Sequence, residues 1–183
     1  MAHAGQAIAN PVTGERVVFR ATAADTDGQL LSMEYHAPAQ HLIGPLHIHP
    51  RQEERSEVVA GMMRGRVGGQ KRTVGPGEVA VVAPGVRHTW RSDGDQELHA
   101  VVEFRPALST ETVLEVLFAL ARAGRTNRRG MPAALQMAVL MNDHLDEMAA
   151  PVLPLAVQRA SLNALAAIGR RRGYRPEPGA LLR

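Results

Sequence analysis

From residue 16 to residue 105 the chain meets a turn signal at least every dozen residues or so, and this punctuation limits what it can fold into. Asp25 to Gly28, Pro38, Pro50, Gly61, Gly68-Gly69, Gly75 to Gly77, Pro84-Gly85 and Ser92 to Asp95 leave segments too short for ordinary helices. The segments suit strands, which the pattern predicts over 16–22, 29–36, 62–67, 70–74, 78–83, 88–91 and 97–105. In 29–36, Leu31, Met33 and Tyr35 alternate with Ser32, Glu34 and His36, the pattern of a half-buried strand. In 97–105, Leu98, Ala100, Val102 and Phe104 form the more apolar face, which puts His99 outside. Strands this short at this spacing predict an antiparallel sandwich or barrel, a mainly β fold. Residues 1–15 show no period and read as a flexible N-terminal arm.

One stretch carries chemistry. His47 and His49 are two apart, so on an extended chain both imidazoles point to one face and Ile48 to the other. Pro50 lacks the N–H that a ladder needs and ends the strand or bulges it. The carboxylates Glu53 and Glu54 follow, then Gly61. Alternation puts Glu54 on the face of Ser56 and Val58, small groups that suit an interior, with Glu53, Arg55 and Glu57 facing out. Two imidazoles and a carboxylate form the core of a transition-metal site. The remaining donor has to come from elsewhere, and His88, just after the Pro84-Gly85 turn, is placed to supply it.

These stretches resemble the two motifs of the cupin superfamily. Four residues separate His49 from Glu54 and six separate Glu54 from Gly61, while Gly77 and Pro84-Gly85 precede His88. The likeness runs over roughly residues 30–106, and Ser92 stands where the second motif usually has an asparagine. It implies a double-stranded β-helix, the jelly-roll barrel. By the same resemblance His47, His49, Glu54 and His88 are the ligands of a mononuclear centre for a divalent transition metal, Fe, Mn, Zn or Ni, and Glu54 is preferred to Glu53 on spacing. It further implies a small-molecule substrate, a homodimer, and an enzyme of oxygenase, isomerase, decarboxylase or hydrolase type. The alternative is a non-catalytic cupin that binds or senses a small ligand or a metal. No general base stands out; Glu53, His36, His41 and His99 are candidates wherever they face the cavity.

Composition removes other classes. The chain has no cysteine, which excludes disulfides, thiolate ligands and cysteine nucleophiles. It has no apolar run long enough to span a bilayer and no signal-like start, so a cytoplasmic protein is expected. Residues 110–183 carry 10 positive and 6 negative side chains, but only 3% of the chain is aromatic, and nucleic acid is not an expected partner.

The sequence therefore divides into an arm, 1–15, a cupin barrel, 16–107, and a helical extension, 108–183. After Pro106 the period changes to that of helices, predicted from a cap at Ser109 or Thr110 to Gly124, from Pro132 to about Met148, and from Leu155 to about Arg172. The extension has three open roles: packing on the barrel or a partner subunit, a lid over the barrel mouth, or an arginine-bearing surface at Arg170, Arg171, Arg172 and Arg175. Trp90 shares a face with His88 and reads as cavity wall or core, and Gln52 reads as part of a solvated turn. His36 and His41 read as surface or hydrogen-bonded positions rather than cavity lining.

Overall fold

A computed structural model describes residues 2–176; the end of the predicted extension, 177–183, lies outside the described residues. The strands are β1 (Ala7–Ala9), β2 (Arg16–Ala21), β3 (Leu31–Ala37), β4 (Leu42–His47), β5 (Glu53–Ala60), β6 (Met62–Val67), β7 (Gln70–Val74), β8 (Val79–Val82), β9 (His88–Asp93) and β10 (Leu98–Arg105). The helices are α1 (Thr110–Arg122), α2 (Ala134–Asp143) and α3 (Leu155–Arg171). One antiparallel sheet has the order β1-β2-β3-β10-β5-β8 and the other β4-β9-β6-β7. The fold is mainly β, two facing antiparallel sheets followed by helices.

Alternation settles which residues fill the space between the sheets. Leu31, Met33 and Tyr35 of β3, Val58 of β5, Leu98, Ala100 and Phe104 of β10, and Met63 and Trp90 of the other sheet are all buried in one cluster. Fully burying one such side chain contributes about 1.5–3 kcal/mol, so the shared period-2 pattern is itself a strong determinant of register. His99 faces outward, as its alternation with Leu98 and Ala100 predicts.

Residues 7–9, expected within a loose arm, form a strand. Ala7, Ile8 and Ala9 pair with Val18, Val17 and Arg16, and Ile8 is buried. The run is too short to show a period, and only pairing along β2 reveals it. The second helix also departs from expectation: it ends at Asp143 rather than near Met148. Leu145 is buried, as its helical spacing suggested, but the chain unwinds so that Ala149 can pair with Ile48. The Ile48 and Ala149 amides each donate to the other's carbonyl at 3.0 Å.

The first C-terminal helix is shared between the barrel core and a small second core. α1 sends Phe118 into the barrel cluster, with Leu114 and Leu117 packed against it, while Val113, Val116, Ala119 and Leu120 meet Leu140 of α2. Ser109 precedes α1 without a side-chain cap; its amide donates instead to Glu147 Oε1 at 3.1 Å. α3 lies on α2, with Arg170 paired to Asp143 at 2.9 Å. Part of the terminal arginine cluster is thus spent within the chain.

Gly61, which ends β5, shows why the motif needs glycine there. Its φ is +75°, and a Cβ would stand 2.5 Å from the Glu97 carbonyl oxygen. Gly61→Ala combines left-handed backbone strain with overpacking against a main-chain atom, and is expected to cost about 2–3 kcal/mol. Urea denaturation of the two proteins checks this.

Candidate metal centre

His47 closes β4, and its position depends on a bulge. The β4–β9 register is regular at Leu42↔Arg91 and Ile43↔Trp90, shifts across Gly44 to Leu46, and resumes with His47 directly opposite His88. Gly44 sits in this bulge at φ +71°. His49 comes two residues later on extended chain held by the Ile48–Ala149 bridge, and Glu54 follows on the inner face of β5. All four side chains are buried.

Their donor atoms converge. His47 Nε2 and His49 Nε2 lie 3.1 Å apart, and Glu54 Oε2 is 3.1 Å from His49 Nε2 and 3.0 Å from His88 Nε2. The far nitrogen of each ring is also occupied. His47 Nδ1 is 2.8 Å from the Pro45 carbonyl oxygen, His88 Nδ1 is 2.9 Å from that of Val86, and His49 Nδ1 bonds the carbonyl of Glu147. A carbonyl can only accept, so each Nδ1 carries a proton and Nε2 is the nitrogen left to face the centre, as a lone pair toward a metal ion or as an N–H toward Glu54 in its absence. Two lone pairs at 3.1 Å repel unless a cation or a proton stands between them. Three imidazoles and a carboxylate, all ligand atoms within 4.8 Å of one another, are a donor set suited to one transition-metal ion.

The electrostatics agree with that use. Burial pushes His47 down to about 4, helped by the neighbouring His88 and His49, so this ring is neutral at ordinary pH. For Glu54 burial opposes ionisation, but the hydrogen bonds from His49 and His88 outweigh it and hold the carboxyl well below its usual range. Burial acts to lower His88 as well, yet the bond to Glu54 prevails and raises it. Phe104 packs edge-on against His49, with ring centroids 5.1 Å apart, and closes one side of the site with apolar surface.

Several residues behave differently from their sequence reading. Gln52 is no solvated turn: it is completely buried, and its Nε2 lies 2.9, 2.8 and 2.9 Å from Pro106 O, Ala107 O and Thr110 Oγ1. It ties the loop between His49 and Glu54 to the start of α1. Ser92 ties β9 to the turn before β4, accepting from the His41 amide at 2.8 Å and bonding the Pro38 carbonyl. Trp90 is buried in the barrel core. Of the candidate bases, His36 and His99 stack on each other on the outer face of the six-stranded sheet, and Glu53 faces outward too.

Three side chains, Glu15, Tyr35 and Glu147, take parts around the barrel interior that no motif in the sequence assigns them. Glu15, from the expected arm, accepts a hydrogen bond from the Tyr35 hydroxyl and lies 3.5 Å from His41 Nε2. Burial, then Glu15, raises the Tyr35 pKa well above its ordinary value, with Glu54 adding to the shift, so Tyr35 stays a donor inside the barrel. The third is Glu147, whose carbonyl holds His49 and whose carboxylate accepts from Ser109. Gln52→Leu removes the donor that faces three buried acceptors and is expected to cost about 2 kcal/mol. Chemical denaturation of the purified variant measures it.

Residues 33–104 match the family model described as "Cupin domain". No curated protein matches the chain. Among solved structures, a predicted oxalate decarboxylase from Thermotoga maritima aligns with a TM-score of 0.50 and 16% identity, over 56% of this chain and 92% of that one. An RmlC-like cupin from Shewanella frigidimarina aligns with a TM-score of 0.48 and 20% identity, over 57% and 86%. KdgF from a Halomonas species gives 0.48 and 19%, over 54% and 84%. At 16% identity the first of these likenesses is one of fold. The family match therefore places a cupin domain at residues 33–104, and the two antiparallel sheets agree with it.

Proposed function

We propose that this protein is a metal-dependent cupin enzyme acting on a small organic molecule by oxygenase- or isomerase-type chemistry. His47, His49, Glu54 and His88 would hold a single divalent ion. The observation that carries this reading is the three-fold Nδ1 anchoring: backbone carbonyls aim three Nε2 atoms at one point, with an ionised Glu54 beside them. Four protein donors leave room in a five- or six-coordinate shell, the feature of a working rather than a closed site. A bound ion supplies Lewis acidity toward an oxygen ligand, and if it is iron, the capacity to activate O2.

The chain's own residues do the rest. Burial of the imidazoles and the Phe104 face limit water, which strengthens every charge interaction at the centre. Tyr35 holds a proton as a hydrogen-bond donor within the same barrel. One observation favours the second reading, a cupin that binds or senses a ligand without turnover: His36, His99 and Glu53 all face away from the donors. We take the protein further as a cytoplasmic homodimer. Support for pairing comes from Val157, Leu165 and Ile168, exposed along one side of α3 where a second copy would cover them. No helix among the described residues is long and apolar enough to cross a membrane.

Elemental analysis of protein purified without an affinity tag tests the centre. The expected result is close to one transition-metal ion per chain, lost in His49→Ala. Iron directs the next assay to O2 uptake; zinc, nickel or manganese directs it to isomerase or decarboxylase chemistry. Little metal in both proteins after divalent ions are added overturns the reading.

The Glu147 anchor gives a second test. Ala149→Pro deletes the amide that donates to Ile48 and loosens the strap carrying the Glu147 carbonyl. Loss of an outer-shell partner typically weakens metal binding about 10–100-fold, and a shift in this range is expected in a chelator competition assay.

A further inference from the structure

We infer a second metal site on the outer face of the six-stranded sheet, made by Glu34, His36 and His99 and suited to imidazole-preferring ions such as Zn2+, Ni2+ or Cu2+. It shares no residue with the interior centre. In the β3–β10 ladder His36 lies directly opposite His99, and Glu34 is two residues from His36 on the same outward face. Cross-strand pairing therefore brings both imidazoles and the carboxylate together without any loop.

The spacing suits a small ion. Glu34 Oε2 is 3.3 Å from His99 Nε2 and 3.9 Å from His36 Nε2. Bonds of about 2.0–2.1 Å to a tetrahedral ion put neighbouring donors about 3.3 Å apart, so the Glu34–His99 pair already has that separation and the Glu34–His36 pair has to close by about 0.6 Å. All three ligand atoms lie within 4.8 Å of one another.

The hydrogen bonding is unfinished in the way a ligand site would be. His99 Nε2 is shielded from solvent and makes no hydrogen bond, despite a carboxylate oxygen at 3.3 Å. His36 Nδ1 is likewise shielded and unbonded, with Glu97 Oε2 at 3.7 Å. Buried polar nitrogens normally find partners, and His99 Nε2, the one that faces Glu34, is the nitrogen an ion would satisfy. Glu97 is held in place by Arg16 through bonds of 2.8 and 3.0 Å. It thus stands where a carboxylate commonly supports the far nitrogen of a metal-bound histidine.

The two rings stack with centroids 4.3 Å apart and planes 13° apart, so their in-plane lone pairs run parallel and one ring turns out of the stack when both share an ion. The side chains of His36, His99 and Glu34 are 16%, 27% and 38% exposed, so an ion reaches the site directly from solvent. β3 and β10 are the central pair of the sheet, and an ion there staples them together.

Zn2+ titration of the full-length protein against a chromophoric chelator is the test, with melting temperature as a second readout. Two classes of equivalents are expected in the wild type. His99→Gln and Glu34→Gln should lose the outer one, by tenfold or more in affinity, and keep the interior one. His49→Ala should do the reverse, which separates failure of this site from failure of the interior centre. Saturating the outer site should raise the melting temperature in the wild type and leave that of His99→Gln unchanged. Circular dichroism confirms that the variants fold. A wild type without the additional equivalent, or one that survives in both His99→Gln and Glu34→Gln, overturns the proposal.

Discussion

Three imidazoles can face one point only if something fixes the proton on the far side of each ring. Here that something is the main chain. The carbonyls of Pro45, Val86 and Glu147 take the three Nδ1 protons, and they come from a β-bulge, a turn and the C-terminal extension. The bulge exists because Gly44 can adopt a positive φ, and it returns His47 to register opposite His88. The turn before His88 is set by Pro84-Gly85, with Gly85 donating to the His49 carbonyl at 2.8 Å. The ladders of the barrel thus supply two of the anchors, and the third requires a segment nearly a hundred residues beyond His49.

The four donors were legible because strand geometry turns spacing into facing. His47 and His49 share a side, Glu54 falls on the inner face of β5, and His88 opens β9; each placement follows from period-2 alternation plus a turn. The same rule put His99 outside. What alternation cannot show is a main-chain acceptor, since every residue carries one. Glu147 was therefore invisible as an anchor, and its side chain appeared only as one more acidic group beyond a helix. Gln52 misled for a related reason. Glutamine beside proline and arginine reads as solvent-facing, yet this one satisfies the acceptors where β10 passes into α1. Its role depends on a contact between residues 52 and 106–110 that no local pattern encodes.

The helical period had a different limit. It correctly marks Leu145 as buried, but not whether the chain around it stays helical. Continuing α2 would satisfy the amides of 144–149 within the helix. Ending it lets Ala149 exchange two hydrogen bonds with Ile48 and lets Glu147 reach both His49 and Ser109. A local rule and a tertiary contact compete over the same few residues, and the tertiary contact wins because it satisfies backbone groups on both partners at once.

This competition also explains what the extension is for. A helix pair that only covered an apolar face would need no hydrogen bonds to the motif. Instead residues 146–149 meet the motif segment at Ile48, His49 and Arg51, the last through a 3.2 Å ion pair with Asp146. Arg159 of α3 reaches the same Asp146 at 3.2 Å, and Gln158 of α3 bonds both the amide and the carbonyl of Ala150. α3 thus braces the strap, the strap orients His49, and His49 completes the donor set. A change in how α3 packs, such as one imposed by a second copy on its exposed side, would reach the centre through three contacts. The barrel supplies the site, and the extension decides how firmly one of its four donors is held.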